Sequence, residues 1–254
     1  MLAVTVGAVA VAGCATKGTP YATPASPSAP VTSAATAPTA GSLPTASMTP
    51  LPAAAGQLTG TQLESVLLPT SDFPAGFAAS SSGPVSSGGT LTSAAAQYPL
   101  ATVSCSDFVQ HLGSTGFGET AMAADSIVGT DQAYDQVIYQ FGTASSASAF
   151  VAGVQSLAGR CASFTAPAST GTTATFSLKA TPGASVAGLS SVELVQSGTV
   201  SGSALTLDTL LVASGVDVFA ASAVGLGTGS PAVPAKETII YNLMQRQAAA
   251  AVLG

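Results

Sequence analysis

The chain holds a single histidine, His111, and Asp107 precedes it by four positions, so a helix would set both side chains on one face. Hydrolytic chemistry needs a nucleophile beside such a base. Serine is abundant, yet no G-x-S-x-G turn presents one, and the pair is expected to be a solvated helix face with a weak ion pair. Asp125, Asp131 and Asp135 offer oxygen ligands of the kind hard cations prefer. Their spacing fits no EF-hand loop, and they are expected to be solvated turn acids. Zinc would require His and Cys donors that the chain does not have. Gly225-Leu226-Gly227-Thr228-Gly229 follows an apolar strand-like run, but Ser230-Pro231 stands where a phosphate-binding helix should begin, which leaves a loop at the edge of a cleft. No catalytic residue, metal or cofactor is therefore expected.

Cysteine chemistry is more informative. Residues 2–12 form a short apolar core, and Val11-Ala12-Gly13-Cys14 resembles a bacterial lipobox. Cleavage before Cys14 would expose a thiol for thioether attachment of lipid, the small residues ahead of it letting an extended backbone enter the peptidase. Residues 1–13 are then a signal peptide and Cys14 the lipidation site. No Lys or Arg precedes Cys14, which leads us to expect a true start further upstream. More than one acyl chain gives stable anchoring, because each buried methylene contributes about 0.8 kcal/mol.

Residues 14–56 are dominated by Ala, Thr, Ser, Pro and Gly, a composition that cannot bury enough apolar surface to offset its ordering entropy. This stretch is expected to be a disordered tether, extended at roughly 3.1 Å per residue where proline dominates.

Beyond it the pattern becomes that of a folded domain, 57–254. Thr61-Gln62-Leu63-Glu64 matches a capping box at the head of a short helix, and Pro69 ends it. A helix is expected over 105–112, capped by Ser104 or Ser106, and strands over 120–128 and 134–141. From 145 to 161, Ala147, Phe150, Val151, Val154, Leu157, Ala158 and Cys161 recur at helical spacing. Strands follow over 173–179, 191–196, 205–212 and 216–224, the last two joined by a Ser214-Gly215 turn. A final helix covers 235–253 with Ile240, Leu243, Met244, Gln247, Ala248 and Ala251 on one face. The expected fold class is α+β, a mostly antiparallel sheet with flanking helices in one domain.

With Cys14 acylated, Cys105 and Cys161 remain, and outside the reducing cytosol a disulfide is the natural reading. A pair of free buried thiols is the alternative.

"LLPTSDFPAGF" (67–77) and "YDQVIYQFGTASSASAFVAGVQSLAGRC" (134–161), behind the lipobox and its Thr/Pro tether, resemble actinobacterial lipoproteins with a PknH-like extracellular sensor domain. "VELVQSG" and "LLVASGVDVFAAS" continue the likeness through the second half. The resemblance implies a helix-flanked sheet around a central cleft that takes an envelope ligand, and a helix-terminal cysteine paired to one upstream. A second disulfide found in some members has no cysteines here, and Gly159-Arg160 replaces the aromatic that often precedes the helix-terminal cysteine.

Charge narrows the partners. Eleven acids against five bases give a net charge of -6, and charged residues make up only 6% of the chain, against about a quarter in ordinary proteins. Four scattered cations in the domain build no basic patch, so neither nucleic acid nor anionic lipid headgroups are expected partners. Residues 203–227 are apolar enough to suggest a span, but Asp208, Asp217 and the Ser214-Gly215 break mark them as strands. The expectation is a non-catalytic ligand-binding or sensor-like lipoprotein, held on the extracellular face of the cytoplasmic membrane by its lipid anchor, with a small hydrophobic or glycolipid ligand. A protein-interaction or scaffold module without such a ligand is the alternative.

Overall fold

The computed structural model describes residues 56–73, 75–91, 96–129, 132–167, 173–200, 203–226 and 235–253. Cys14, the expected signal peptide and the tether up to residue 55 lie outside them, as do Asp131 and residues 227–229 of the glycine-rich stretch.

Among the described residues nine strands form one sheet in which every pairing is antiparallel. In chain order they are β1 (Ala78–Ala79), β2 (Val85–Ser86), β3 (Ala121–Val128), β4 (Gln132–Gln140), β5 (Phe164–Pro167), β6 (Thr173–Pro182), β7 (Ser191–Val200), β8 (Ser203–Ser214) and β9 (Asp217–Leu226). Across the sheet the order is β1-β3-β4-β9-β8-β7-β6-β5, with β2 also on the outer edge of β3. Among the described residues four α-helices complete the domain: α1 (Gly60–Val66), α2 (Cys105–His111), α3 (Ala144–Arg160) and α4 (Lys236–Leu253). Among the described residues no helix is long and apolar enough to cross a membrane.

Helices cover both faces of the sheet. Leu63 and Val66 of α1 and Ile239, Ile240 and Leu243 of α4 pack with Ala123, Ile127, Ile138, Leu210, Val212, Phe219 and Ala221. Phe108 of α2 and Ala147, Phe150, Val154 and Leu157 of α3 pack with Met122, Val137, Tyr139, Leu194, Leu211, Val218 and Ala220. Neighbouring strand residues point to opposite faces, so β3, β4, β8 and β9 must be apolar at successive positions rather than every second one. Each fully buried Leu, Ile or Phe contributes about 2 kcal/mol, so this two-sided core supplies the main driving force.

The α+β reading holds, and the differences are local. The capping box belongs to Thr59 and Gln62: Thr59 Oγ1 accepts from Gln62 N at 3.3 Å and Gln62 Oε1 from Thr59 N at 2.8 Å. Helix α3 is capped by Thr143 and α2 by Ser104. The β8–β9 turn is Gly215-Val216, one residue later than expected, because Gly215 takes φ +61° at the first turn position. Strands β1, β2 and β5 carried no sequence signal.

Candidate functional site

Cys105 and Cys161 are joined in a disulfide with Cα atoms 5.6 Å apart. The bond ties the first residue of α2 to the end of α3, where Cys161 O accepts from Leu178 N of β6 at 2.9 Å. Its place is structural, holding two helices on one face of the sheet.

His111 does not meet Asp107. Its ring stacks on Tyr98 with centroids 4.0 Å apart and planes inclined by 17°. Asp107 is instead tied to the Ser104 cap of its own helix: Asp107 Oδ2 accepts from Ser104 Oγ at 2.7 Å, and Asp107 N donates back to Ser104 Oγ at 3.0 Å. Ser114 Oγ lies 3.4 Å from His111 Nδ1, but its hydroxyl donates to the His111 carbonyl at 2.7 Å, so its proton is committed to the backbone.

Asp125 and Asp135 are not turn acids but interior strand residues on opposite faces. Asp125 pairs in register with Gln136 on the α1/α4 face, and Asp135 with Ser126 on the α2/α3 face. No group of three or more metal-ligating side chains exists among the described residues.

Asp135 belongs to a polar row that the sequence does not announce. Ser126, Asp135, Ser222 and Thr209 are successive register partners across β3, β4, β9 and β8 on the α2/α3 face. Ser126 Oγ donates to Asp135 Oδ1 at 2.5 Å, and the Thr209 and Ser222 hydroxyls lie 2.8 Å apart. Thr209 and Ser222 are buried, whereas Ser126 and Asp135 are half-buried. Burial pushes the Asp135 carboxyl above its ordinary range, the Ser126 bond opposes this, and nearby Asp125 adds to the rise.

Apolar side chains bracket this row. Inside it lie Ala124, Val137, Ala220 and Leu211, which belong to the core under α3. Outside it lie Val128, Ala133, Val224 and Leu207, followed on β7 by Gln196. Val128, Val224, Leu207 and Gln196 are only half-buried. Further along the sheet, Phe176 of β6 lies against Gly198, its register partner. A side chain at Gly198 would collide with that ring, so the glycine is what lets the aromatic lie flat on β7. The arrangement is a half-open apolar surface with hydroxyl and carboxyl groups along one side, suited to holding an amphiphile.

Other polar groups are occupied with the architecture. Gln136 receives Leu68 N at 2.8 Å and donates to Leu68 O at 2.9 Å. Lys236 Nζ binds Glu193 Oε1 at 2.8 Å and also Asp208, pinning the start of α4 to β7 and β8. The depression lined by Leu100, Ala101, Gly153, Ser156 and Arg160, with a volume of 320 Å³, lies along the outer side of α3. There the Arg160 guanidinium is held by Leu100 O at 2.6 Å and Ala101 O at 2.5 Å.

No family model and no curated protein matches the chain. Among solved structures, the extracellular domain of PknH from Mycobacterium tuberculosis is 13% identical with a TM-score of 0.48, the alignment covering 78% of this chain and 99% of that one. An uncharacterized protein from Mycobacterium smegmatis, an Rv0999 ortholog, is 11% identical with a TM-score of 0.37, covering 76% of this chain and 96% of its own.

Proposed function

We propose that this chain is a cell-envelope lipoprotein whose 57–254 domain is a non-catalytic binding module for a hydrophobic or glycolipid ligand. The carrying observation is the polar row Ser126-Asp135-Ser222-Thr209 running beside half-exposed Val128, Val224 and Leu207 on one open end of the sheet. Most binding sites are apolar surfaces with a few placed polar groups, and this is such a surface. A hydrocarbon chain would lie over the outer row while its head met the hydroxyls. Cleavage after residue 13, acylation of Cys14 and the tether to residue 56 would hold the module at the extracellular face of the cytoplasmic membrane. The lipobox-like Val11-Ala12-Gly13-Cys14 supports that placement.

The test uses the full chain carrying Cys14→Ser, so that any recovered lipid is ligand and not anchor. Native mass spectrometry should detect a co-purified small amphiphile, and Leu207→Glu should abolish it without loss of fold. A protein partner recovered with no amphiphile would replace this reading with that of an interaction module. Labelling with a fatty acid should mark the unsubstituted chain and leave Cys14→Ser unmarked; no label on either would remove the anchor.

A further inference from the structure

We propose that the Ser126–Asp135 pair makes this surface selective for an uncharged amphiphile with hydroxyl donors on its head, and turns away one whose head is a carboxylate or phosphate. The inference rests on the binding reading above and adds the class of ligand.

Asp135 is the one ionisable side chain in the polar row and the apolar rows flanking it. Every cation in the described residues is engaged or placed elsewhere. Arg160 is held by the Leu100 and Ala101 carbonyls, and Arg246 by those of Ser65 and Val66. Lys236 sits between Glu193 and Asp208. Lys179 is a register partner of Val195, which pairs with Asp208, itself the partner of Ala223, on the α1/α4 side of the sheet. His111 is stacked on Tyr98. An anionic head on the α2/α3 face would thus meet a carboxylate and no counter-charge among the described residues, while Asp125 adds a second negative charge from the opposite face.

A hydroxyl head meets the opposite situation. Thr209 and Ser222 are bonded to each other, and Ser126 occupies Asp135 Oδ1, leaving the second carboxyl oxygen to accept from a ligand. If the carboxyl takes up a proton, it can donate to a ligand hydroxyl instead, so a neutral head is accommodated in both states.

Monodecanoylglycerol and decanoate share one hydrocarbon chain and differ in head charge, and both can be titrated calorimetrically into the full Cys14→Ser chain at mildly alkaline pH. Monodecanoylglycerol should bind at least ~10-fold more tightly, the order expected for one like-charge contact at a half-buried site. Asp135→Asn, which preserves shape and an acceptor for Ser126, should narrow the gap to about threefold or less, chiefly by improving decanoate. Equal affinity in the unsubstituted site, or a gap that Asp135→Asn leaves unchanged, overturns the selectivity while leaving the binding reading in place. If neither compound binds, the binding reading itself fails and takes the inference with it.

Discussion

Asp217 Oδ1 accepts a 3.0 Å hydrogen bond from Gln140 Nε2 inside the core, across 77 residues of sequence. Gln140 Oε1 in turn accepts from Leu58 N at 2.7 Å, so the first residues of the domain, the middle of the sheet and the β8–β9 turn share one buried network. Burial pushes the Asp217 carboxyl from 3.8 up to about 6, against the bond from Gln140. The folded state therefore keeps a proton that the unfolded chain has lost between these two values, and stability falls as pH rises through that window and is level above it. Asp217→Asn keeps the acceptor for Gln140 and removes the charge. It should stabilise the domain at neutral pH by roughly 2 to 3 kcal/mol and flatten the pH dependence, read from urea midpoints across the acid range. Unchanged midpoints at neutral pH would show that the charge carries no such penalty.

Gln136 makes a two-bond clasp on the Leu68 backbone, and both residues are buried. Gln136→Met conserves volume but leaves the Leu68 N–H and C=O without partners. The expected cost is about 3 kcal/mol, since each orphaned buried group costs roughly 1 to 3 kcal/mol. Because Leu68 follows α1, amide exchange over 60–68 should accelerate more than exchange in α3.

The Cys105–Cys161 bond closes a 56-residue separation. Chain entropy alone gives about 4 kcal/mol for a loop of that length. The double substitution Cys105→Ala/Cys161→Ala should lower stability by roughly 2 to 4 kcal/mol in urea melts, with the slope altered by a more expanded denatured state. Reduction of the native protein should reproduce that loss, whereas reducing the double variant should change nothing.

The long elements were readable because they are long. The stripe Ala147, Phe150, Val154, Leu157 has one periodicity over about three turns, and it faces the core as expected. Two-residue β1 and β2 and four-residue β5 are too short to hold a period, and they form only because β3 and β6 offer them an edge. The polar row was illegible for a different reason. Ser126, Asp135, Ser222 and Thr209 are scattered over 97 positions and become neighbours only through the register of four strands. What signal exists is weak: a hydroxyl or acid interrupting an otherwise apolar strand, as in "AMAADSIV". Asp125 and Asp135 looked like turn acids because Gly129, Thr130 and Asp131 lie between them, yet the strands extend inward past both.

Gly198 and Phe176 provide the sharpest test of how the open end of the sheet is built. A Cβ on Gly198 would run into the Phe176 ring and fall 2.9 Å from Thr175 O, closer than real Cβ contacts allow. Glycine normally weakens a strand interior, but an alanine here meets both the ring and the Thr175 carbonyl, and removing the ring relieves only the first. With the ring present the ring must lift, exposing apolar surface and straining its rotamer at a cost of roughly 1 to 3 kcal/mol. Gly198→Ala should therefore destabilise the native protein, while in a Phe176→Ala background the same change should cost distinctly less, only the contact with Thr175 O remaining. A double-mutant cycle from thermal melts reads the difference directly as a coupling energy, expected at about 1 kcal/mol or more. If Gly198→Ala has the same effect in both backgrounds, the aromatic does not depend on the glycine, and the outer wall of the proposed binding surface is held by something other than this contact.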